Sequence, residues 1–306
     1  MTADAVKVHH PLRIGTRRSR LALAQAAIAA DALAPAFGRS ALLPIVTEGD
    51  SISARRPHGG WVTSDGQFTR DLERALLDGR VDVVVHSYKD LPTARTEGLV
   101  IGAVLERGDA RDCLVTALGG GLDAVPEGGR VGTSSPRRAA QLRASRPDLV
   151  AVPVRGNVET RLGRLRAGEF DALVLAAAGL DRLGVEVAPD ARLPFEIMLP
   201  APAQGALALQ VRAGDVAFRD ALTVVEHGPS RIAVEAERML LRQLGGGCLA
   251  PLGALGQVVG ATLTLRAAFE HSDGSLARAE AAGPVTRSAV VVDDVARQIS
   301  GATVPA

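Results

Sequence analysis

The segment RVGTSSPRRAAQLR, residues 130–143, has the composition of a short buried strand that turns directly into a helix. Small residues follow the strand, Ser135 stands where a helix cap accepts a backbone amide, and Pro136 suits the first helical position. The start of such a helix offers amides and hydroxyls to an anion, and two basic side chains, Arg137 and Arg138, lie just inside it. The segment lacks the GK[ST] ending of a nucleotide-binding loop, so an ATP phosphate is a poor candidate ligand. It predicts an α/β fold with an anion site beyond a strand.

The same alternation of strand and helix recurs on both sides of this segment. Upstream, apolar runs predict strands at 12–16, 42–47, 81–86 and 99–105, with helices at 21–33 and 68–77. The second set has strands at 113–116, 130–132, 150–154 and 172–175, with helices near 137–145 and 158–167. Continuous apolar strands predict parallel sheets that helices cover on both faces. We expect residues 205–211 to return as a strand to the first set.

The pattern changes from Ser230 onward, where a smaller α+β region is predicted. A helix at 232–244, with Ser230 near its cap, is followed by an antiparallel hairpin and a last helix, at 262–270, 275–281 and 291–299. We therefore predict three domains. They are an α/β lobe from 1–105 and 205–225, a second α/β lobe from 106–204, and an α+β domain from 226–306.

Composition narrows the function classes. The 306 residues include 35 basic and 34 acidic side chains, and this balance argues against a nucleic-acid partner. The only lysines are Lys7 and Lys89, so a lysine at position 89 is unlike the generic positive charges of this chain. Two cysteines, far apart, form neither a disulfide framework nor a metal-ligand spacing, so we expect no metal. With no signal-peptide pattern and no apolar run of membrane-spanning length, we expect a cytoplasmic protein without a membrane partner.

Polar clusters follow several of the predicted strands, where open α/β sheets bind ligands. They are Arg17 to Ser19, His86 to Asp90, Thr133 to Arg138, and Arg155 to Asn157 with Arg161 one turn on. Guanidinium groups present planar donor forks that match carboxylates, so we expect a substrate with several carboxylates in an arginine-lined cleft.

Single residues leave alternatives open. An arginine pair on a helix also fits a solvated face, and Asp90 alone also fits a turn cap. His86 fits a hydrogen-bonded core histidine best, and Cys113 fits a core position. Cys248 follows three glycines, which suits both a reactive thiol on an open loop and a purely structural position.

Taken together, six segments resemble the porphobilinogen deaminase (hydroxymethylbilane synthase) family. They are RIGTRRS at 13–19 with LAL at 21–23, VHSYKDLP at 85–92, GTSSPRR at 132–138, RGN at 155–157, PAPAQG at 200–205 and GGC at 246–248. The segments stand in the family's order and span most of the chain.

The resemblance implies a fold and an activity. The first two domains would be doubly wound lobes like those of periplasmic binding proteins, followed by the α+β domain. The activity would be that of a transferase of tetrapyrrole and haem biosynthesis that joins four porphobilinogen units head to tail. Each step releases ammonia, and hydrolysis then frees hydroxymethylbilane. A dipyrromethane cofactor, bound by a thioether to Cys248, would prime the chain. The resemblance also implies a monomer, with hand-off of the product to a uroporphyrinogen III synthase as a further expectation.

Residue roles follow from the same resemblance. Asp90 would be catalytic, because a carboxylate stabilises the azafulvene cation left when ammonia departs. The cofactor would be held by Cys248, Ser87, Lys89, Thr133, Ser134, Ser135, Arg137, Arg138 and Asn157. The substrate would contact Arg17, Ser19, Phe68, Arg155, Arg161, Arg182 and Gln204.

One departure from the family pattern falls in the polar stretch at 50–66. SDGQF at 64–68 stands where the family usually has GKGLF, so Asp65 replaces a lysine in a loop expected to cover the site. The rival hypotheses are a two-lobed binding protein that holds a polycarboxylated anion without chemistry, and the effector domain of a transcription regulator. The missing export signal and the Cys248 region oppose the first rival, and the lack of a DNA-binding helix pair opposes the second.

Overall fold

The protein is described by a computed structural model that covers residues 11–47, 69–117, 119–247 and 250–301. Phe68, Cys248 and the 50–66 stretch lie outside the described residues. The chain divides into two compact units. The first contains the described residues up to Arg107 together with Ala206–Arg231, and the second contains Gly108–Gly205 and the described residues from Ile232 onward.

Strands and helices alternate through both units. The strands of the described ranges are β1 (Leu12–Arg17), β2 (Ser40–Ile45), β3 (Val83–Ser87), β4 (Leu99–Val104), β5 (Asp112–Thr116), β6 (Arg130–Gly132), β7 (Val150–Val152), β8 (Ala172–Ala176), β9 (Leu207–Arg212), β10 (Leu252–Val259), β11 (Thr262–Glu270) and β12 (Leu276–Pro284). The helices are α1 (Arg20–Phe37), α2 (Arg70–Leu77), α3 (Pro136–Ser145), α4 (Val158–Arg166), α5 (Ala177–Arg182), α6 (Val216–Ala221), α7 (Gly228–Gln243) and α8 (Ser288–Ser300).

The first unit is built on a five-stranded sheet with the order β2-β1-β3-β9-β4. Strand β1 pairs in parallel with β2 and β3, whereas β9 runs antiparallel to both β3 and β4. Leu12 and Ile14 of β1 are fully buried with Ala26, Ala29 and Leu33 of α1, which places the core between this helix and the sheet. The return of the chain as β9 confirms the strand predicted at 205–211.

Helix α1 is long and apolar enough to cross a membrane by length and composition alone. It also lies near the start of the chain, where a signal sequence would pass the same test. In the structure its small apolar residues pack on the sheet of the first unit. This is the position of a core helix, and it explains the apolar composition.

The second unit contains two sheets. The first has the order β5-β8-β6-β7, with β6 parallel to β7 and β8, and with β5 antiparallel to β8. The second is the antiparallel sheet β10-β11-β12, whose core is closed by α7 and α8. A smaller apolar cluster of Ala110, Leu199, Leu255 and Ala268 connects the two sheets. The mixed α/β architecture with a C-terminal α+β region agrees with the predicted fold class, while the division into three domains stays a prediction.

Three expectations need correction. The sheets are mixed and not purely parallel, because an apolar run records burial on both faces but carries no information about strand direction. Strand β10 was not predicted, so the expected hairpin is part of a three-stranded sheet. Helix α7 begins at Gly228, which places Ser230 inside its first turn and not near its cap.

Candidate active site

The end of β1 places Arg17 and Ser19 at the carboxyl edge of the first sheet. Ser19 caps α1, since its Oγ accepts a hydrogen bond from the amide of Ala22 at 3.2 Å. Thr16 reinforces the corner, because its buried hydroxyl donates to the carbonyl of Ala22 at 3.0 Å. The Arg17 Nε is buried. The first βα corner therefore brings a guanidinium group beside a helix N-terminus.

Strand β3 ends beside this corner. Ser87 exchanges hydrogen bonds of 2.9 and 3.0 Å with the side-chain amide of Gln25 on α1. A single 3-10 turn, Tyr88–Asp90, follows, with Tyr88 buried, Lys89 half-buried and Asp90 exposed. The amide of Tyr88 donates to the carbonyl of Ala206 at 3.0 Å, which anchors the turn to the chain entering β9.

A cavity of about 60 Å³ lies at this edge of the first unit. Its polar lining includes Arg17, Ser19, Gln25, Ser87 and Asp90. The structure thus brings together four of the predicted residues, one basic, one acidic and two hydroxylic, around one cavity. Gln25 was not predicted as a site residue. Its position as a polar residue on the otherwise apolar face of α1 could have indicated it.

His86 also lines the cavity, and it belongs to a buried chain of hydrogen bonds. Its Nε2 is 2.9 Å from the Gln210 Oε1, and the Gln210 Nε2 donates to the Glu73 Oε1 at 2.8 Å. Burial lowers the pKa of His86 to about 4, against the smaller opposing effect of the Gln210 hydrogen bond. This is the core histidine that the sequence favoured, neutral near pH 7.

In the second unit, β6 leads directly into the corner that was predicted to bind an anion. A Cβ at Gly132 would approach the end of the Leu173 side chain to 2.4 Å, so a larger residue here would require that side chain to move. The Ser134 Oγ donates to the carbonyl of Val154 at 2.8 Å and accepts from its amide at 2.9 Å. Ser135 caps α3, and Pro136 occupies its first turn, as predicted. Thr133 is buried and accepts a hydrogen bond from the Ser135 amide.

Arg137 and Arg138 of α3 are both buried around one carboxylate, that of Asp112 on β5. The Asp112 oxygens accept hydrogen bonds from the Arg137 Nη1 at 2.8 Å and from the Arg138 Nη2 at 2.6 Å. Burial alone would raise the pKa of Asp112, but the two guanidinium groups overcome this effect and hold the pKa well below its usual range. The Arg137 Nε remains buried without a hydrogen-bond partner among the described residues.

Asp112 was missed by the sequence analysis. It could have been found from its place as a single acidic residue at the start of the apolar run 112–116. A carboxylate on a buried strand requires a basic partner, so this position predicts a buried ion pair.

Strand β7 leads into a second helix N-terminus at the same edge of this sheet. Gly156 has a φ of 102°, which favours glycine, and its carbonyl accepts a hydrogen bond from the Arg161 Nε at 2.8 Å. Asn157 caps α4 through a 2.8 Å hydrogen bond from the Thr160 amide. Burial lowers the pKa of Arg161 to about 10, and no described acidic residue forms a salt bridge with it. Arg155, half-buried, precedes the glycine.

Arg182 and Gln204 are brought together through the segment that leads to β9. The Arg182 Nη2 donates to the carbonyl of Gly205 at 2.5 Å, and burial lowers the pKa of Arg182 to about 10. Gln204 is fully buried, and its Nε2 donates to the Ala110 carbonyl at 2.8 Å and to the Asp112 carboxylate at 3.0 Å. The structure therefore places Gln204 inside the protein, where it holds Asp112, and its contact with substrate stays a prediction.

No cluster of three or more histidine, cysteine or acidic residues suited to a metal ion occurs in the described part of the chain. Cys113 is buried, and burial raises the pKa of its thiol to about 11, which makes it a poor nucleophile.

Comparison with known protein families assigns two segments that together cover most of the described chain. Residues 12–220 match the family model of the porphobilinogen deaminase dipyromethane cofactor binding domain, and residues 231–301 match that of the porphobilinogen deaminase C-terminal domain.

Curated relatives are similar over nearly their full length. Porphobilinogen deaminase of Desulforudis audaxviator is 47% identical over 277 residues, which cover 90% of this chain and 89% of the relative. Porphobilinogen deaminase of Leifsonia xyli is 46% identical over 295 residues, which cover 94% of this chain and 89% of the relative.

Two solved structures show a more distant likeness. The VFT2 domain of BvgS from Bordetella pertussis is 15% identical, with 70% of this chain and 85% of that chain covered at a TM-score of 0.41. A periplasmic binding protein of an arginine transport system from Legionella pneumophila is 10% identical, with 77% of this chain and 95% of that chain covered at a TM-score of 0.38. Neither likeness is close enough to bear on the fold or the function. The two matched domains and the curated relatives, in contrast, show that the chain belongs to the porphobilinogen deaminase family.

Proposed function

We propose that the chain is a hydroxymethylbilane synthase. It condenses four porphobilinogen units head to tail on a dipyrromethane primer carried by Cys248, with loss of ammonia at each step, and releases hydroxymethylbilane by hydrolysis. The observation that carries the proposal is the exposed carboxylate of Asp90 in the same cavity as Arg17, Ser19 and Ser87. A basic donor and a carboxylate around one cavity suit a substrate that carries acids and passes through a cation.

The residues present fit a dipyrromethane group, which carries acetate and propionate side chains. The Nε group of Arg137 is a buried donor without a hydrogen-bond partner among the described residues, and a ligand carboxylate would satisfy it. Ser87, Lys89, Thr133, Ser134, Ser135, Arg137, Arg138 and Asn157 would hold the group that Cys248 carries. When bound, this group supplies the nucleophilic pyrrole carbon at which the chain is extended.

Asp90 would act on the substrate. Loss of ammonia from porphobilinogen leaves an azafulvene cation, and a carboxylate beside its pyrrole N–H lowers the energy of that cation. At about 4 Å and a surface-like dielectric constant the attraction is roughly 4 kcal/mol. Asp90 stands at the free end of a short turn, so its carboxylate can reach a ligand in the cavity.

Arginines would bind the acidic side chains of the growing chain. Arg161 and Arg182 are partly buried cations that donate to backbone carbonyls, and their lowered pKa values record a desolvation cost that a carboxylate ligand would offset. Arg17, Ser19 and Arg155 would contribute further donors. Phe68, outside the described residues, is proposed as a substrate contact on the resemblance alone.

We further propose a monomeric cytoplasmic enzyme that passes its product to a uroporphyrinogen III synthase. The similar charge totals of the chain and the packing of α1 on its own sheet support a protein without nucleic-acid or membrane partners.

The mass of the intact protein tests the function. The expected result is an adduct of two pyrrole units in the wild type, absent from Cys248→Ser and retained in Cys113→Ser. The wild type should consume porphobilinogen with release of ammonia, and Cys248→Ser should not. An unmodified protein that binds porphobilinogen without consuming it would instead support the two-lobed binding protein.

A further inference from the structure

The segment of residues 199–205 is held by an unusual set of hydrogen bonds in the second unit. Ala203 has a φ of 62°, the one non-glycine residue with positive φ in the described ranges. An L-residue in this conformation is strained and persists only where its surroundings hold it. The Ala203 amide donates to the Oε2 of Glu237 at 2.6 Å.

Glu237 itself is fully buried on α7. Its second oxygen, Oε1, accepts a 2.7 Å hydrogen bond from the amide of Gly256 on β10. A Cβ at Gly256 would come within 2.7 Å of the Ala233 carbonyl, so β10 approaches α7 at backbone contact distance. One buried carboxylate therefore fixes two backbone amides that lie far apart in sequence.

The same segment contacts three of the proposed ligand-binding arginines, directly or through one carboxylate. The Leu199 carbonyl accepts from the Arg137 Nη1 at 2.6 Å, and the Gly205 carbonyl accepts from the Arg182 Nη2 at 2.5 Å. Gln204 donates to Asp112, whose carboxylate also accepts from Arg138.

We propose that Glu237 is a positioning residue: by holding Ala203 it fixes the 199–205 segment in the conformation that orients Arg137, Arg138 and Arg182 toward acidic ligand groups. The inference rests on the proposed function for the identity of the ligand, although the structural link is independent of it. Glu237 would touch neither substrate nor cofactor.

The test compares Glu237→Gln with Val292→Ala. Glutamine has nearly the same shape as glutamate. One of the two oxygens that accept a hydrogen bond is replaced by an NH2 group, however, and this group would face a backbone N–H and cannot accept from it. Val292 is fully buried in the core of the C-terminal sheet, so its truncation lowers the melting temperature without removing any of the hydrogen bonds named above. If Glu237→Gln does not fold, Glu237→Asp, one methylene too short to reach both amides, takes its place.

Two readouts are taken well below both melting temperatures. The amides of residues 199–205 should exchange with deuterium at least tenfold faster in Glu237→Gln than in Val292→Ala. The apoprotein of Glu237→Gln, incubated with porphobilinogen, should gain the Cys248 adduct at least tenfold more slowly than that of Val292→Ala.

Equal rates of amide exchange in Glu237→Gln and Val292→Ala overturn the inference. If the exchange rates differ but the two apoproteins gain the Cys248 adduct at the same rate, the inference is overturned as well. A wild type that never gains the adduct contradicts the proposed function, while the exchange experiment still decides whether Glu237 holds the segment.

Discussion

Asp90 and Asp112 are both carboxylates close to proposed anion-binding residues, and burial gives them different tasks. Asp112 is fully buried between two guanidinium groups, where its charge balances those of the arginines and fixes their positions. Asp90 is exposed beside the cavity, so its charge remains available to a cationic intermediate. Residue type alone does not separate the two roles.

Replacing Asp90 with asparagine should lower kcat about a thousandfold. The stabilisation of about 4 kcal/mol expected from the carboxylate corresponds to roughly three factors of ten in rate. Asp90→Glu keeps the charge but moves it by one methylene group, so it should lower kcat less than Asp90→Asn does. Steady-state ammonia release measures both variants, and normal turnover of Asp90→Asn would remove Asp90 from the catalytic role.

His86 should make the protein less stable in mild acid. Its pKa falls from 6.5 to about 4 on folding, so the neutral form is favoured in the folded state. The stabilisation is fully present above pH 6.5 and is lost as the pH falls toward 4, by about 2 kcal/mol between pH 7 and pH 5. Urea unfolding of the wild type and of His86→Gln measures this difference. The two proteins should show the same pH dependence between pH 7 and pH 8, and an equal loss in both at pH 5 would contradict the prediction.

At the scale of elements, strand-to-helix corners place the proposed binding groups. The N-termini of α1, α3 and α4 each follow a strand directly, and each is capped by a polar side chain, from Ser19, Ser135 and Asn157 respectively. Caps of this kind contribute about 1 kcal/mol each and leave further amides of the first turn directed at the ligand side. The same residues thus stabilise the helix and lie where we propose that acidic ligand groups bind.

Asn157 allows these two contributions to be separated. Asn157→Ala should lower the free energy of unfolding by about 1 kcal/mol, because the Thr160 amide loses its acceptor. Asn157→Asp should keep the stability, since aspartate also caps and suits the helix dipole, but its charge should repel ligand carboxylates and raise KM several-fold. Thermal unfolding and KM for porphobilinogen measure the two effects. An Asn157→Asp protein with wild-type KM would show that this helix end does not face the substrate.

At the scale of the whole molecule, the arginines make folding and ligand binding interdependent. Arg161 and Arg182 are partly buried, and burial lowers the pKa of each, so holding these cations costs free energy. A group that supplies carboxylates only in the folded state therefore stabilises that state.

Loss of the cofactor should lower the melting temperature by about 5 °C or more. Hydrogen bonds to charged groups contribute about 2 kcal/mol each, and 1 kcal/mol shifts Tm by about 2–4 °C for a domain of this size. Calorimetry of the loaded wild type and of Cys248→Ser provides the measurement. Wild-type protein without the cofactor should have the same melting temperature as Cys248→Ser. If the loaded wild type also melts at that temperature, the proposed arginine contacts are contradicted.

The sequence by itself determined most of the elements, the caps at Ser19 and Ser135, and the polar residues that follow each strand. These features depend on neighbours within a few positions, so periodicity and residue type report them directly. Only the tertiary structure decided the direction of β9, the pairing of Asp112 with two arginines, the burial of Gln204 and the contact of Glu237 with Ala203. Each of these depends on partners at least 25 residues away in the chain. A buried polar side chain signals that it needs a partner, but which partner meets it is set by how the distant elements pack.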